Sequence, residues 1–170
     1  RAPEARSNII TIAWTGTICT TPPMLSISVQ PQRYSHDLLL AAGEFTVNLP
    51  TVELVRAVDY CGVVSGRDAD KFADLRLGKR RSSAIDAPLI AECPLNLECR
   101  IKRTENLGSH TLFVAEVAAV QGKKALIDSR GRFALEKAGL VAYAHGHYYA
   151  LGKQLGHFGF SVRKKGKNTK

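Results

Sequence analysis

Alternating apolar and polar positions predict a chain built mainly of short β-strands. In Met24–Val29, every second residue from Leu25 onward is large and apolar, and Ser26 and Ser28 fill the positions between them. This period of two places the two kinds of side chain on opposite faces of a strand. Further strands are predicted at Asn8–Trp14, Phe45–Leu49, Leu95–Thr104, Thr111–Gln121, Ala125–Ile127, Leu140–Ala144 and Tyr148–Leu151. Thr15–Thr17 is expected to end the first of these strands.

Short helices are predicted between several of the strands. Ser35 is expected to cap a helix that ends at Gly43, since serine favours the N-terminus of a helix and glycine the position after its end. Further helical segments are predicted at Val52–Tyr60, Asp68–Phe72 and Phe133–Lys137. The long strands ending at Thr104 and beginning at Thr111 are expected to pair as a hairpin around Asn106-Leu107-Gly108.

Strands therefore do not alternate regularly with long helices, which argues against a doubly wound parallel sheet. The pattern instead predicts a mainly β protein with short helices, an antiparallel barrel of Greek-key-like connectivity. A length of 170 residues suits one domain with a tail. We expect the domain to cover residues 1–162 and a basic tail to cover residues 163–170.

The net charge of +9 is concentrated in two places. The tail carries five basic residues and no acid, and Lys79-Arg80-Arg81 supplies three more. A nucleic-acid surface would spread its charge over the fold, so nucleic acid is not expected as a partner. The tail is expected to be a solvated terminus, and the open alternative is a module that binds an anionic partner through it.

No apolar run approaches the roughly 20 residues that a membrane helix needs, so no membrane partner is expected. Arg1–Glu4 is not followed by a short apolar block, so no signal peptide is expected either. The four cysteines form no CxxC pair, which favours buried thiols in a reducing, cytoplasmic compartment. His145 and His147 flank Gly146 without a third ligand nearby, so no metal site is expected.

The segment from Ser26 to Ser35 carries the parts of a monophosphate site. Arg33 offers a two-pronged guanidinium, and the helix expected at Ser35 offers free N–H groups that favour an anion. Ser26 and Ser28 add hydroxyl donors. The alternative interpretation is a surface arginine beside an ordinary helix cap.

Three other positions are candidates for ligand contacts. Trp14 ends a predicted strand and is followed by Thr15-Gly16, and because Gly16 has no side chain a planar ring could approach the backbone there. The alternative interpretation of Trp14 is a core tryptophan followed by a turn. Lys71 is either a phosphate partner or a solvated charge. His110, which follows Gly108-Ser109, is either a proton donor or ligand contact, or an ordinary loop histidine. No Rossmann, P-loop or nucleophile-elbow motif is present.

Taken together, several short motifs resemble the flavin reductase-like family, and within it the flavoredoxin group. The matching segments, in order, are Asn8–Gly16, Thr21–Ser28, Arg33–Ser35, Gly43–Leu49, Asp59–Gly62, Ser65–Arg67, Asp70–Phe72, Gly108–Phe113 and Gly146–Gly152. Each segment alone is weak, and their order and spacing over roughly residues 8 to 160 carry the resemblance.

The resemblance implies an FMN-binding split β-barrel, usually a homodimer, that acts as an NAD(P)H-dependent flavin oxidoreductase. The alternative is a flavoredoxin-like electron-transfer protein with tightly bound FMN. Trp14, Thr15 and Gly16 would lie near the flavin ring, and His110 near the flavin or the nicotinamide, as the catalytic residue. The cofactor-binding residues expected are Thr11, Ala13, Trp14, Thr15, Gly16, Ser26, Ser28, Val29, Arg33, Tyr34, Ser35 and Lys71.

Overall fold

The computed structural model describes residues 7–163, so most of the predicted basic tail lies outside the described residues. The strands are β1 Thr15–Thr20, β2 Pro23–Val29, β3 Glu44–Leu49, β4 Lys79–Arg80, β5 Leu89–Ile90, β6 Leu95–Asn106, β7 Thr111–Gly122, β8 Val141–Ala144 and β9 His147–Ala150. The α-helices are α1 Tyr34–Ala42, α2 Val55–Val63 and α3 Lys71–Asp74. Single 3-10 turns lie at Val52–Leu54, Lys124–Leu126, Leu135–Lys137 and Phe160–Val162.

One antiparallel five-stranded sheet, ordered β1-β2-β7-β6-β3, forms the main body. The predicted mainly β architecture with short helices is therefore confirmed. The predicted hairpin is confirmed as β6 and β7, whose last pair before the turn joins Asn106 to Thr111. Because this hairpin inserts between β2 and β3, strands that are distant in sequence become neighbours.

The main core lies on one face of this sheet. Leu25, Ile27 and Val29 of β2 are buried, as their alternation predicts, and Phe113 on the adjacent strand β7 is fully buried. The core residues are Leu25, Ile27, Val29, Leu39, Phe45, Cys99, Phe113 and Ala115. A smaller cluster joins Phe72 of α3 to Ile90 and Cys93. Burying a side chain of this size contributes about 1.5–3 kcal/mol, so these two clusters fix the positions of the loops between the strands.

The predicted strand at Asn8–Trp14 is wrong: this segment joins no sheet, and the first strand begins at Thr15. Its apolar side chains are partly buried all the same, with Ile10 and Ile12 against the main core. The apolar residues of Asn8–Trp14 therefore indicate burial of the segment and not its pairing in a sheet. Thr15 pairs with Ile27, so the residues expected to end a strand in fact begin one.

Other local predictions also need correction. Ser35 is not the helix cap, because α1 begins at Tyr34 with Arg33 in the cap position; Gly43 does end it, with a φ of 67°. The predicted strand at Ala125–Ile127 is a 3-10 turn followed by a single bridge between Ile127 and Phe133. Three residues are too few for their hydrophobic pattern to distinguish a strand from a 3-10 turn.

The loop between β4 and β5 is fastened by two carboxylates from the sheet. Glu98 on β6, fully buried, accepts hydrogen bonds from the backbone N–H groups of Ser83 (3.0 Å) and Ala84 (2.6 Å). Glu44 on β3 accepts from those of Asp86 (2.6 Å) and Ala87 (2.9 Å). Backbone donors that would otherwise need water or an anion are thereby satisfied inside the chain.

The open edge of β3 is covered by the same part of the chain. Thr46 donates to the carbonyl of Pro88, and Asn48 accepts from the backbone N–H of Ile90. Among residues 7–163, no helix is long and apolar enough to cross a membrane.

Candidate functional site

A pocket of about 280 Å³ opens where the N-terminal segment, the loop between β2 and α1, and the turn after α2 meet. Its lining residues are Asn8, Ile10, Gln30, Gln32, Arg33, Tyr34, Ser35, Cys61, Gly62, Val64, Ser65, Gly66, Arg67 and Lys71. Three of these side chains are cationic and none is acidic. The pocket therefore favours an anion on charge alone.

Two arginines line the pocket from opposite loops. Arg33 ends the loop that leads into α1, and Arg67 lies in the turn after α2. The Arg67 guanidinium also lies 5.4 Å from the centre of the Tyr34 ring, a cation–π contact that orients it. Both arginines are exposed, so they remain accessible to a ligand.

The third cation, Lys71, is buried, which excludes the interpretation of a solvated helix charge. Its Nζ donates to the carbonyl of Ile9 at 2.7 Å and to that of Cys61 at 2.9 Å. Burial lowers the pKa of Lys71, and the nearby positive charge of Arg33 lowers it further. The ammonium thus ties two walls of the pocket together, and an anion in the pocket would stabilise its charged form.

The hydroxyl oxygen of Ser35 already accepts one hydrogen bond. The side-chain amide of Asn8 donates to Ser35 Oγ at 2.8 Å. The hydroxyl proton of Ser35 is therefore left to donate to another acceptor. Tyr34 and Ser35 also form the first turn of α1, where backbone N–H groups have no intrahelical acceptor. Both features suit a negatively charged group.

Gly66 lies where no side chain fits. A Cβ at this position would collide with the side-chain amide of Asn8 and would lie 2.7 Å from Cδ1 of Tyr34. Glycine here lets the turn approach α1 closely, and the pocket keeps its shape because of that approach.

A second cluster lies beside the pocket, at the end of β2. Trp14 stacks on His110 with ring centroids 4.3 Å apart and planes inclined by 23°. The carbonyl of Trp14 accepts from the N–H of Ser28, two residues before the pocket residue Gln30. Two residues of extended chain span about 7 Å, so the two clusters are neighbours. Trp14 is 62% exposed, which excludes the core interpretation.

The model of the family described as "Flavin reductase like domain" matches residues 2–152. The chain belongs to this family. Flavoredoxin of Desulfovibrio vulgaris (Miyazaki F) superposes with a TM-score of 0.88 at 30% identity, covering 94% of this chain and 87% of that one. An FMN-binding protein from Thermus thermophilus superposes with a TM-score of 0.78 at 27% identity, covering 91% and 84%.

Among relatives compared by sequence, the reductase component of a 4-nitrophenol monooxygenase from Rhodococcus opacus is 32% identical over 125 residues. The match covers 72% of this chain and 64% of that protein. The flavoredoxin neighbour confirms the predicted split-barrel fold and the resemblance to the flavoredoxin group.

Four of the residues predicted to bind the cofactor line the pocket: Arg33, Tyr34, Ser35 and Lys71. The other predicted residues lie elsewhere. Val29 is buried in the core, so its side chain is unavailable to a ligand. The Thr11 hydroxyl donates to the carbonyl of Val58, and the Thr15 hydroxyl to that of Ser26. Ala13, Gly16, Ser26 and Ser28 lie around Trp14, at the start of β1 and on β2.

The sequence reasoning missed Asn8, Gly66 and Arg67 as parts of the site. Ser65–Arg67 is used above only as a segment that resembles the family, and no local feature of it assigns Gly66 or Arg67 to an anion site. Within residues 7–163, no group of three or more metal-ligating side chains lies close enough to hold a metal ion. The cysteine prediction is correct for Cys61, Cys93 and Cys99 and wrong for Cys19, which is exposed on β1.

Proposed function

We propose that this protein binds FMN and acts as an NAD(P)H-dependent flavin oxidoreductase. The observation that supports this most directly is the pocket with three cations and no acid, closed on one side by the turn at Gly66. A terminal phosphate matches this chemistry, because it is an anion with several acceptor oxygens. FMN carries such a group at the end of its ribityl chain, whereas both phosphates of FAD lie within the molecule.

In this proposal, Arg33, Arg67 and the hydroxyl of Ser35 donate to the phosphate, and Lys71 adds a buried positive charge behind it. The flavin ring would then extend past Ser28 toward Trp14 and His110. Bound FMN would accept and release hydride and single electrons through its ring. The backbone around Thr15 and Gly16 is open and could contact the polar edge of that ring, since a Cβ added at Gly16 would meet no atom within 4 Å.

His110 is the proposed catalytic residue. Its Nδ1 contacts the hydroxyl of Ser109 at 3.0 Å, which leaves Nε2 to contact the flavin or the nicotinamide. Stacking on Trp14 fixes the plane of the imidazole. A histidine so held can place a proton or a hydrogen bond at the ring where negative charge develops.

The second candidate function is electron transfer with FMN held permanently, which the likeness to a flavoredoxin favours. A visible absorption spectrum of the purified protein separates the candidates when it is repeated after anaerobic addition of NADH or NADPH. Reductase activity requires flavin bands that bleach. Bands that persist favour the electron carrier, and a colourless protein that ignores added FMN would overturn both.

The choice of FMN is tested by titrating apoprotein with FMN, FAD and riboflavin. Riboflavin lacks the phosphate, so it should bind about 10- to 150-fold more weakly than FMN, from about 1.5–3 kcal/mol for hydrogen bonds to a charged group. Equal affinities for FMN and riboflavin would show that the pocket does not hold the phosphate. A homodimer is also part of the proposal, and sedimentation of the purified chain tests it.

A further inference from the structure

The backbone carbonyls around the pocket are already engaged by the protein itself. Those of Ile9 and Cys61 accept from the Lys71 ammonium, at 2.7 and 2.9 Å. Others accept from neighbouring backbone or arginine N–H groups, namely the carbonyls of Gln30, Gln32, Gly62 and Ser65. Among the described residues that line the pocket, none carries a carboxylate. A ligand that must donate a proton therefore finds few acceptors here.

Hydrogen-bond donors, by contrast, remain available in the same pocket. Within residues 7–163, Arg33 and Arg67 each engage a carbonyl through one guanidinium nitrogen, which leaves the other N–H groups for a ligand. Lys71 has one ammonium N–H left after its bonds to two carbonyls. The bond from the Asn8 amide to Ser35 Oγ, 2.8 Å long, leaves the Ser35 proton for a different acceptor. The pocket thus offers more donors than acceptors, together with positive charge.

The two ionic forms of a phosphate monoester place opposite demands on such a pocket. Above its second pKa, which is about 6, the group carries two negative charges and each terminal oxygen accepts hydrogen bonds. Below that pKa it carries one negative charge and one P–OH group, which has to donate. A wall rich in N–H groups matches the first form, whereas the P–OH group of the second form faces other donors.

We infer that the pocket selects the doubly ionised form of a phosphate monoester, and that Asn8 contributes to this selection by making Ser35 a donor. The inference rests on the proposed function, because it takes the phosphate of FMN as the occupant. The same phosphate with one proton added has less charge and an unmatched donor, so it binds more weakly. Acidification below about pH 6 therefore releases FMN.

The protein groups that face the phosphate do not produce such a pH dependence themselves. Acidification removes no positive charge from Arg33, Arg67 or Lys71; burial lowers the pKa of Lys71, and a lower pH can only protonate it further. Burial raises the pKa of Cys61, so its thiol stays neutral. The remaining titratable side chain of the lining is the phenol of Tyr34, which is neutral near pH 6. A loss of affinity on acidification therefore reports protonation of the ligand.

Flavin titrations at two pH values test the selection. The full-length apoprotein is titrated with FMN and with riboflavin at pH 7 and at pH 5, in buffers without phosphate. Riboflavin has the same ring and no phosphate, so the ratio of the two affinities cancels effects at the ring end, including those of His110. This preference for FMN should fall about tenfold from pH 7 to pH 5, because a group with a pKa of about 6 is then mostly singly charged. An unchanged preference would overturn the inference and leave the FMN proposal standing, whereas equal affinities at pH 7 would overturn both.

Asn8→Asp tests the role of Asn8, because it replaces the amide by a carboxylate of the same shape. The Ser35 hydroxyl should then donate to that carboxylate instead of to the phosphate. We expect the FMN affinity at pH 7 to fall at least tenfold and the riboflavin affinity to stay the same. The preference for FMN should also depend less on pH, because the new carboxylate can accept from a P–OH group.

Gln154→Glu makes the same change of charge at an exposed position outside the pocket and is the matched control. It should keep the parent preference for FMN at both pH values. If Asn8→Asp keeps that preference as well, Asn8 does not contribute to the selection and this part of the inference is overturned.

Discussion

Arg33 and Arg67 join the loop before α1 to the end of α2 and to the turn that follows it. The Arg33 guanidinium donates to the carbonyl of Gly62 in the last turn of α2 at 3.5 Å, and that of Arg67 donates to the carbonyl of Gln32 at 3.1 Å. The two arginines therefore hold these segments together at the mouth of the pocket. An anion that attracts both guanidinium groups would act on both loops together.

Replacing either arginine should weaken FMN binding. Arg33→Ala removes a charge-assisted contact, so the FMN affinity should fall by about 1.5–3 kcal/mol, and Arg67→Ala should have a similar effect. Flavin fluorescence titration measures both. Arg56→Ala removes an exposed arginine on α2 outside the pocket and should leave the affinity unchanged. If Arg33→Ala titrates like the control, Arg33 does not bind the phosphate.

A methyl group at Gly66 should damage the pocket from within. Gly66→Ala forces its Cβ into the Asn8 amide and the Tyr34 ring, so the turn and α1 must separate. We expect the FMN affinity to drop at least tenfold and the melting temperature to fall by several degrees, for a strain cost of about 1–3 kcal/mol. Gly152→Ala, where a Cβ meets open space, is the matched control for thermal unfolding. Normal FMN binding by Gly66→Ala would show that this close approach does not shape the site.

His110→Asn should separate catalysis from binding. If His110 assists at the reacting ring, the rate of flavin reduction by the preferred nicotinamide should fall by about 10²–10⁴-fold. FMN affinity should change little, because the phosphate contacts are intact. Stopped-flow absorbance under anaerobic conditions measures the rate. A variant that reduces flavin at the parent rate over the whole pH range would remove His110 from the mechanism.

The buried cysteines should be inert at pH values where an ordinary thiol reacts. Burial raises the pKa values of Cys93 and Cys99 to about 12, and burial also raises that of Cys61. At pH 8 these side chains therefore stay protonated in the folded protein. Because only the thiolate is reactive, they should not react. In Cys19→Ser, a colorimetric thiol reagent should find no fast-reacting group before denaturation and three after it. A fast native reaction would show that a buried thiol is accessible.

The same shifts predict how stability responds to high pH. The folded protein keeps protons on Cys93 and Cys99 that the unfolded chain releases near pH 8.5. Their contribution is therefore complete below that pH and is lost as the pH rises toward 12. The lowered pKa of Lys71 acts in the opposite direction in the alkaline range, so Cys99→Ala against its parent is the informative comparison of urea midpoints. If the urea midpoints of Cys99→Ala and of its parent change with pH in the same way, Cys99 does not contribute to the loss of stability at high pH.

Sequence patterns predict those parts of this fold where one property decides the structure. The alternation in Met24–Val29 predicts β2 because one face is buried, and Gly43 predicts the end of α1 because the chain there needs a positive φ. Asn8–Trp14 was misassigned because β-branched residues report burial, and nothing local shows whether a sheet partner exists. Arg33 and Ser35 were predictable from the chemistry of one segment. Asn8 and Arg67 were not, because tertiary packing alone brings them to that segment.

The fastened loop between β4 and β5 bears on where the protein can hold a negative charge. Its backbone N–H groups converge as they would around a bound anion, yet the carboxylates of Glu44 and Glu98 already occupy that position. The donors at Tyr34 and Ser35 have no such internal occupant among the described residues. The chain thus supplies its own anion at the loop between β4 and β5, whereas the donors at Tyr34 and Ser35 remain for an anion that comes from solvent.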